Sequence, residues 1–297
     1  MKRRTERIGF VGVYVFVLGC LVLILSPTLK TKLFFGVCRF WYKHSPVAKS
    51  LPMRFAPPDP YVPVWTTLEP GVRMLLDPND SIGQNLLLHG TWEPETWHDL
   101  EPYVPVGGTF IDVGASIGWY SLKAAKAVGP TGRVIAVEPD RDALVNLRDN
   151  IHANGADSVI RVEPVACSDA ETTLMFYAVE RGNQVRSSLS ERNASDGGPI
   201  SASYKVRARR LDDIADEEHL TRVDVIKVDV EGAEFLVLKG SRNIISRYKP
   251  VISLELSIDG LKAMGSSIQE VLAFMFAHGY RPRQHTHEET VIFTPTN

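Results

Sequence analysis

The chain has 297 residues, with 33 Lys and Arg against 35 Asp and Glu, a formal net charge of −2 and 44% apolar residues. This is the composition of a folded globular chain; it excludes collagen-like and disordered classes, and the length admits one large domain or two small ones. Near-neutral charge supplies no broad field for a phosphate backbone, so no nucleic-acid partner is expected. Cys20, Cys38 and Cys167 are too few and too scattered for a disulfide framework or a cysteine zinc site, and they fit a reducing compartment.

Residues 1–7 form a basic tail with Lys2, Arg3, Arg4 and Arg7. No charged residue follows until Lys30, and Ile8 to Leu25 is apolar throughout apart from glycines. At about 1.5 Å per residue, about 18 to 20 such residues cross a ~30 Å hydrocarbon layer. Residues 8–26 therefore read as a single transmembrane anchor. A cleaved signal peptide is the rival reading, but no A-x-A-like site follows the run. Basic residues on both sides leave the positive-inside rule tied. Residues 33–42 mix aromatic and apolar side chains with Arg39 and suit a bilayer surface. Pro46, Pro52, Pro57, Pro58, Pro60 and Pro63 then forbid helix, so residues 27–63 read as a juxtamembrane and proline-rich tether and residues 64–297 as the soluble domain.

Within that domain, apolar runs of strand length alternate with amphipathic stretches of helix length. Strands are expected at 109–114, 133–139, 159–165, 224–229 and 251–256. Helices are expected at 119–128, at the stretch bearing Leu144, Leu147 and Ile151, and at 231–240, with Gly155 and Gly240 as stops. Ser267 and Glu270 form a capping box before a helix with Ile268, Val271, Leu272 and Met275 on one face. Repeated βα units imply a parallel sheet covered on both faces. The tail from Tyr280 reads instead as an antiparallel hairpin. Residues 180–200, polar and glycine-bearing, read as a surface loop or a substrate lid.

The informative local feature is FIDVGASIGWYSL. Asp112 ends a strand, Gly114 and Gly118 flank Ala115, Ser116 and Ile117, and the next helix points free N–H groups at the turn. Glycine at 114 lets backbone approach a ligand closely. Glu138, 24 residues beyond Gly114 at the end of the next strand, is placed to accept both hydroxyls of a ribose. A glycine turn alone also closes purely structural βα units; with the carboxylate, a nucleoside-bearing cofactor is the better reading. The turn lacks G-x-G-x-x-G, and Asp112 would repel a pyrophosphate, so a ligand with a cationic amino-acid end such as S-adenosylmethionine fits better than a dinucleotide. No P-loop pattern occurs.

DVGASIGWYSL, AVEPD, ACSDA, the SSL at Ser187 to Leu189 and IKVDVEGAE (226–234) together resemble the FkbM family of S-adenosylmethionine-dependent methyltransferases, from about Glu93 to the C-terminus. The resemblance implies an α/β, Rossmann-like class I methyltransferase sheet of seven strands with a reversed last strand, here preceded by the transmembrane helix. It also implies O-methylation of a hydroxyl on a small molecule or glycan. Asp112, Gly114, Ala115 and Gly118 match the first cofactor motif and Glu138 the ribose-binding acid. Asp169 falls where such enzymes meet the adenine, although a loop Asp making a local turn explains it equally well.

VDVEGAE places Asp229, Glu231 and Glu234 at the C-terminal end of a parallel strand, where ligands bind in open α/β sheets. A carboxylate in hydrogen-bond reach of an acceptor hydroxyl can take its proton. Asp229 is the candidate for positioning and Glu231 for the base, while Glu234 suits a first-turn carboxylate facing the helix dipole. No metal is expected, because no third ligand beside Asp229 and Glu231 is evident. Lys227 either pairs with these acids or snorkels at the sheet surface, and Glu255, flanked by leucines, needs a partner if buried. His285 and His287 alternate like metal ligands but read better as a solvated turn, and His89 and Glu93 as surface polarity or a cover for the cofactor. The competing functional readings are a tethered binding module without turnover and a nicotinamide-dependent oxidoreductase. Cytosolic supply of the cofactor favours a cytosolic catalytic domain on a single-pass chain. Sequons at Asn79 and Asn193 speak for a secretory lumen.

Overall fold

The computed structural model describes residues 26–44, 62–68, 71–180, 186–283 and 289–296, the side chains of 41–44 excepted. The proposed anchor at 8–26 therefore lies outside the described residues but for Ser26, as do His285, His287 and most of the proline tether. Among the described residues no helix is long and apolar enough to cross a membrane.

In chain order the elements are α1 (Pro27–His44), β1 (Val64–Leu68), β2 (Val72–Leu76), α2 (Ser81–His89), α3 (Pro94–Leu100), β3 (Thr109–Val113), α4 (Trp119–Val128), β4 (Arg133–Val137) and α5 (Arg141–Ala153). They continue with β5 (Ile160–Glu163), β6 (Ala166–Cys167), β7 (Thr172–Val179), α6 (Glu191–Gly197), β8 (Ile200–Arg209), α7 (Leu211–Glu217) and β9 (Val225–Val228). The last are α8 (Glu234–Lys239), α9 (Arg242–Tyr248), β10 (Val251–Glu255), α10 (Ile258–Ala263), α11 (Ile268–Ala277), β11 (Tyr280–Pro282) and β12 (Thr290–Pro295). The chain divides into two compact units, residues 1–66 with 76–90 and residues 67–75 with 91–297.

In the first unit α1 packs against α2. Asp80 caps α2 by accepting the Gly83 N–H at 2.9 Å, and Gly90 ends it in the left-handed region at φ 79°. Phe35 and Cys38 of α1 are buried, so the segment at 33–42 does not present all its apolar side chains outward.

The second unit is built on a seven-stranded sheet in the order β11-β12-β10-β9-β3-β4-β5. β5, β4, β3, β9 and β10 are parallel, and β12 runs antiparallel to both β10 and β11. The reversed terminal hairpin expected from the tail is thus present. β3 and β9 are buried along their whole length, as sequences apolar on both faces require when helices cover both sides. One continuous core joins Ile111, Ile135, Ile226 and Ile252 of the sheet to Leu211 of α7, Val237 of α8, Ile245 of α9 and Met275 of α11. Ser267 and Glu270 form the expected capping box, with the Glu270 N–H donating to Ser267 Oγ at 3.3 Å and Ser267 Oγ to Glu270 Oε2 at 2.9 Å.

A second sheet, β6-β8-β7, was not legible in the sequence. β7 carries an apolar run from Leu174 to Val179, but its partner β8 opens with the polar, alternating ISASYKVRAR, so the pairing of the two is settled only in the folded chain. Residues 186–200, the described part of the region at 180–200 apart from Glu180, are also more ordered than a loop: α6 is capped by Ser190, and Ser188, at 1% exposure, bridges to Tyr177 of β7. The polar residues among them hold backbone in place, which hydropathy alone does not register. Gly240 follows α8 at φ −81°, not in a left-handed cap.

Candidate active site

After Asp112 the chain turns through residues 114–118 into α4. Gly114 stands at φ 84°, and a Cβ there would lie 1.8 Å from the Asp229 carbonyl oxygen. Glycine is needed here for its backbone and for the close approach of the loop after β9. The Gly114 and Ala115 N–H groups both donate to the Val137 carbonyl, at 2.9 and 3.1 Å. Gly118, at φ 93°, packs against Leu147 of α5. Asn150 staples the turn from outside: its Nδ2 donates to the Ile117 carbonyl at 2.9 Å while its Oδ1 accepts the Leu75 N–H at 2.7 Å.

Glu138 is buried beside this turn, and each of its oxygens accepts one backbone N–H, from Ser116 at 2.7 Å and from Asp140 at 2.8 Å. Burial raises its pKa to about 8 against the pull of those amides. Asp112 is likewise buried. Ser121 Oγ donates to its Oδ2 at 2.6 Å, and its Oδ1 has no partner among the described residues. Burial raises Asp112 to about 6, opposed by the Lys227 ammonium.

The register explains that opposition, because Lys227 of β9 lies directly across from Asp112 of β3. Lys227 pairs rather than snorkels: its buried Nζ is 2.8 Å from Asp229 Oδ2 and 4.5 Å from the centre of the Tyr120 ring. Tyr120 donates its hydroxyl to Glu93 Oε2 at 2.8 Å, and Glu93 sits at φ 41°, an uncommon backbone conformation for a side-chain-bearing residue. Burial would discharge Lys227, but Asp229, Asp112 and Glu93 together outweigh it and hold it protonated.

Asp229, Glu231 and Glu255 each bring a carboxylate oxygen within 4.8 Å of the others. Burial works against the ionised form of Asp229, but Lys227 prevails, aided by a hydrogen bond from Glu255, and Asp229 stays below the usual carboxylate range. The negative Asp229 and the proton shared with it push Glu255 upward. Burial raises Glu231 to about 8, with the Asp229 charge adding and Arg186, 3.5 Å away, subtracting. Glu255, read in the sequence as a carboxylate needing a partner if buried, is the third carboxylate of this group, because β10 lies beside β9 in the folded sheet. The ammonium of Lys227 already supplies positive charge to this group.

Glu231 stands at φ 52°. Two side chains from the segment 188–193 hold it there: Ser188 Oγ donates to its carbonyl at 2.8 Å and Asn193 Nδ2 at 2.9 Å, the latter also reaching the Gly260 carbonyl at 3.1 Å. Glu234 folds back onto the same loop, accepting the Gly232 and Val230 N–H groups at 3.0 and 3.3 Å. Burial raises it to about 7. Its role in the structure is to cap loop amides.

Asp112, Gly114, Ala115, Gly118 and Glu138 are therefore together, and Asp229 and Glu231 adjoin them through Lys227 and the Asp229 carbonyl. Asp169 shares none of the hydrogen bonds or ion pairs just described. Its exposed carboxylate pairs with Lys239 Nζ at 2.6 Å, at the end of α8, and that hydrogen bond holds it below its ordinary value. Asn150 and Arg186 were not singled out in the sequence, Tyr120 and Ser188 lay within the motifs that carried the resemblance but were given no role, and Asn193 was read there only as a sequon. Cys167 is a buried packing residue whose thiol burial pushes up to about 12.

A profile of the Methyltransferase FkbM domain matches residues 112–282. A Methyltransferase 1 of Beauveria bassiana is 28% identical over 155 residues, covering 48% of this chain and 61% of that one. A 2-O-methyltransferase NoeI of Sinorhizobium fredii is 28% identical over 150 residues, covering 46% and 58%. The chain thus spans about three fifths of the length of these curated relatives. A solved FkbM methyltransferase structure from Methylobacillus flagellatus aligns over 71% of this chain and 54% of that one, at 23% identity and a TM-score of 0.44.

Proposed function

The chain belongs to the FkbM methyltransferase family, whose cofactor is S-adenosylmethionine, and from that premise we propose a membrane-anchored O-methyltransferase acting on a hydroxyl of a small molecule or glycan. When bound, S-adenosylmethionine supplies an electrophilic methyl group on a sulfonium. The residues present fit it. Glu138 keeps accepting capacity on both oxygens beyond its two backbone donors, as ribose hydroxyls require. The unpartnered, buried Asp112 Oδ1 asks for a donor. The acidic surroundings favour a cationic end group over a pyrophosphate.

The observation that carries the O-methyl reading is the division of labour among the acids at the ends of β9 and β10. Lys227 keeps Asp229 ionised and fixed, while Glu255 carries the shared proton. Glu231, the third carboxylate, is part-exposed, as Asp229 is, and is met by the Arg186 guanidinium instead of Lys227. With its pKa raised to about 8 it is a stronger base than an ordinary carboxylate, and the ionised fraction able to take a proton from an acceptor hydroxyl grows as pH rises towards 8. The relative named as a 2-O-methyltransferase supports the same reading. The anchor rests on the uncharged run Ile8–Leu25. A cytosolic domain is supported by the Asn193 amide, the acceptor atom of one sequon, being engaged by two carbonyls.

The test is incubation of the full chain with methyl-labelled S-adenosylmethionine and a panel of hydroxylated acceptors, with products identified by mass spectrometry. A labelled methyl ether is expected, and Glu231→Gln lowers kcat by about 10²- to 10⁴-fold with S-adenosylhomocysteine affinity retained. Labelled product methylated on nitrogen or carbon alone overturns the reading.

A further inference from the structure

α1 divides its surface between two faces. Thr31, Phe35 and Cys38 are buried, in the unit where α1 packs against α2. At about 100° per residue, Leu29, Leu33, Val37 and Phe40 fall on the opposite side within a strip about 80° wide. These four are 48%, 37%, 44% and 68% exposed. They are four of the nine large apolar side chains exposed among the described residues, and no other helix carries more than one. Gly36 lies along the same strip, and a Cβ built on it would meet nothing within 4 Å.

Contiguous exposed apolar surface marks a site of interaction, whereas scattered residues do not. Three observations identify the occupant as a lipid surface. First, Ser26, the residue before α1, directly follows the uncharged apolar run Ile8–Leu25, so a bilayer entered by that run lies against the start of α1. Second, α1 has no acidic residue along Pro27–His44, while Lys30, Lys32, Arg39 and Lys43 give it only positive charge. Third, Lys30 and Lys32 fall on either side of the apolar strip on the helical projection, where long cationic side chains reach headgroup phosphates while their stems cover acyl chains.

We propose that α1 lies in the headgroup region of a bilayer containing anionic lipid, with Leu29, Leu33, Val37 and Phe40 toward the acyl chains and Lys30 and Lys32 at the phosphates. It is a second membrane contact of different chemistry from the anchor, and it rests on the anchored reading given above. Through its packing against α2 the same helix carries α2 to the surface. Negative leaflet charge attracts the nearby basic residues, so the contact is stronger on anionic than on neutral membranes.

The full chain, reconstituted into phosphatidylcholine vesicles containing a photoactivatable phosphatidylserine, tests this by mapping lipid adducts after illumination. Adducts are expected both within 8–25 and on residues 29–40, with those on α1 falling several-fold in Leu33→Glu/Val37→Glu and in Lys30→Glu/Lys32→Glu. Retained S-adenosylhomocysteine binding shows that each variant is folded. Adducts within 8–25 alone overturn the proposal and leave the anchor standing. Adducts in neither segment overturn both. Should a variant fail to fold, the adduct map of the unsubstituted chain decides the matter by itself.

Discussion

At the scale of single residues, Lys227 controls the site. It is the buried cation facing Glu93, Asp112 and Asp229, so Lys227→Met removes the counter-charge buried with them. Breaking a buried pair in this way costs about 3–5 kcal/mol. Urea denaturation of Lys227→Met at neutral pH should show a loss of that size, partly recovered as the pH is lowered and the carboxylates protonate. Glu138 has the opposite sign of dependence. Its folded pKa near 8 lies above the ordinary 4.5, so between those values the folded state holds a proton that the unfolded chain has released. Stability conferred by that proton is full below about 4.5 and is lost as pH rises through 8, at up to about 1.4 kcal/mol per pH unit. Thermal midpoints of the cofactor-free protein should therefore fall from mildly acidic to mildly alkaline pH, and Glu138→Gln should flatten that slope. An unchanged slope in the variant would mean that the carboxyl is not protonated in the folded state. Gly114→Ala should be among the most damaging single changes, at about 3 kcal/mol or more, since its methyl group would lie 1.8 Å from the Asp229 carbonyl oxygen.

At the scale of elements, the segment entering α6 acts as a brace for the loop between β9 and α8. Asn193 and Ser188 both end on the Glu231 carbonyl, and Glu234 closes the loop from the other side. An uncommon left-handed conformation at a side-chain-bearing residue persists only when surrounding groups over-determine it. Asn193→Ala removes one donor from each of two carbonyls and should cost about 1–3 kcal/mol. It should also lower kcat more than it weakens S-adenosylhomocysteine binding, because Glu231 moves while Glu138 does not. Equal losses in both would show that the brace supports the whole fold rather than the candidate base. Ser267→Ala, in the capping box of α11, should cost about 1 kcal/mol with no effect on cofactor affinity.

At the scale of the molecule, Asp112 within β3 and Glu138 just after β4 belong to neighbouring strands, while the candidate base follows β9 on the other side of β3. In the proposed function the cofactor and acceptor ends of the site therefore meet across β3. Ligand binding only to the folded state stabilises it by about 2.7 kcal/mol at one hundred times Kd, which for a unit of this size raises Tm by about 5–10 °C. S-adenosylhomocysteine should produce that rise and NAD should not, and Asp112→Ala with Glu138→Ala should abolish it. A rise with NAD alone would favour the oxidoreductase reading.

The sequence by itself determined the features that depend on neighbours in the chain. Apolar runs of strand length fixed β3, β4, β9 and β10; the spacing of Leu144, Leu147 and Ile151 fixed α5; Ser267 and Glu270 marked the start of α11; and Gly114 and Gly118 marked the turn. The reversed hairpin was legible because two short strands stood without a helix between them. Tertiary structure alone decided what depends on residues far apart. Lys227 faces Asp112 across a separation of 115 residues, and Glu255 reaches Asp229 only once β10 has paired with β9. Asn193 was legible as a sequon, but its contact with Glu231 requires α6 to fold onto the loop. Charge state was beyond the sequence for the same reason: a carboxyl's affinity for its proton is set by the burial and opposing charge around it, and both exist only in the folded sheet.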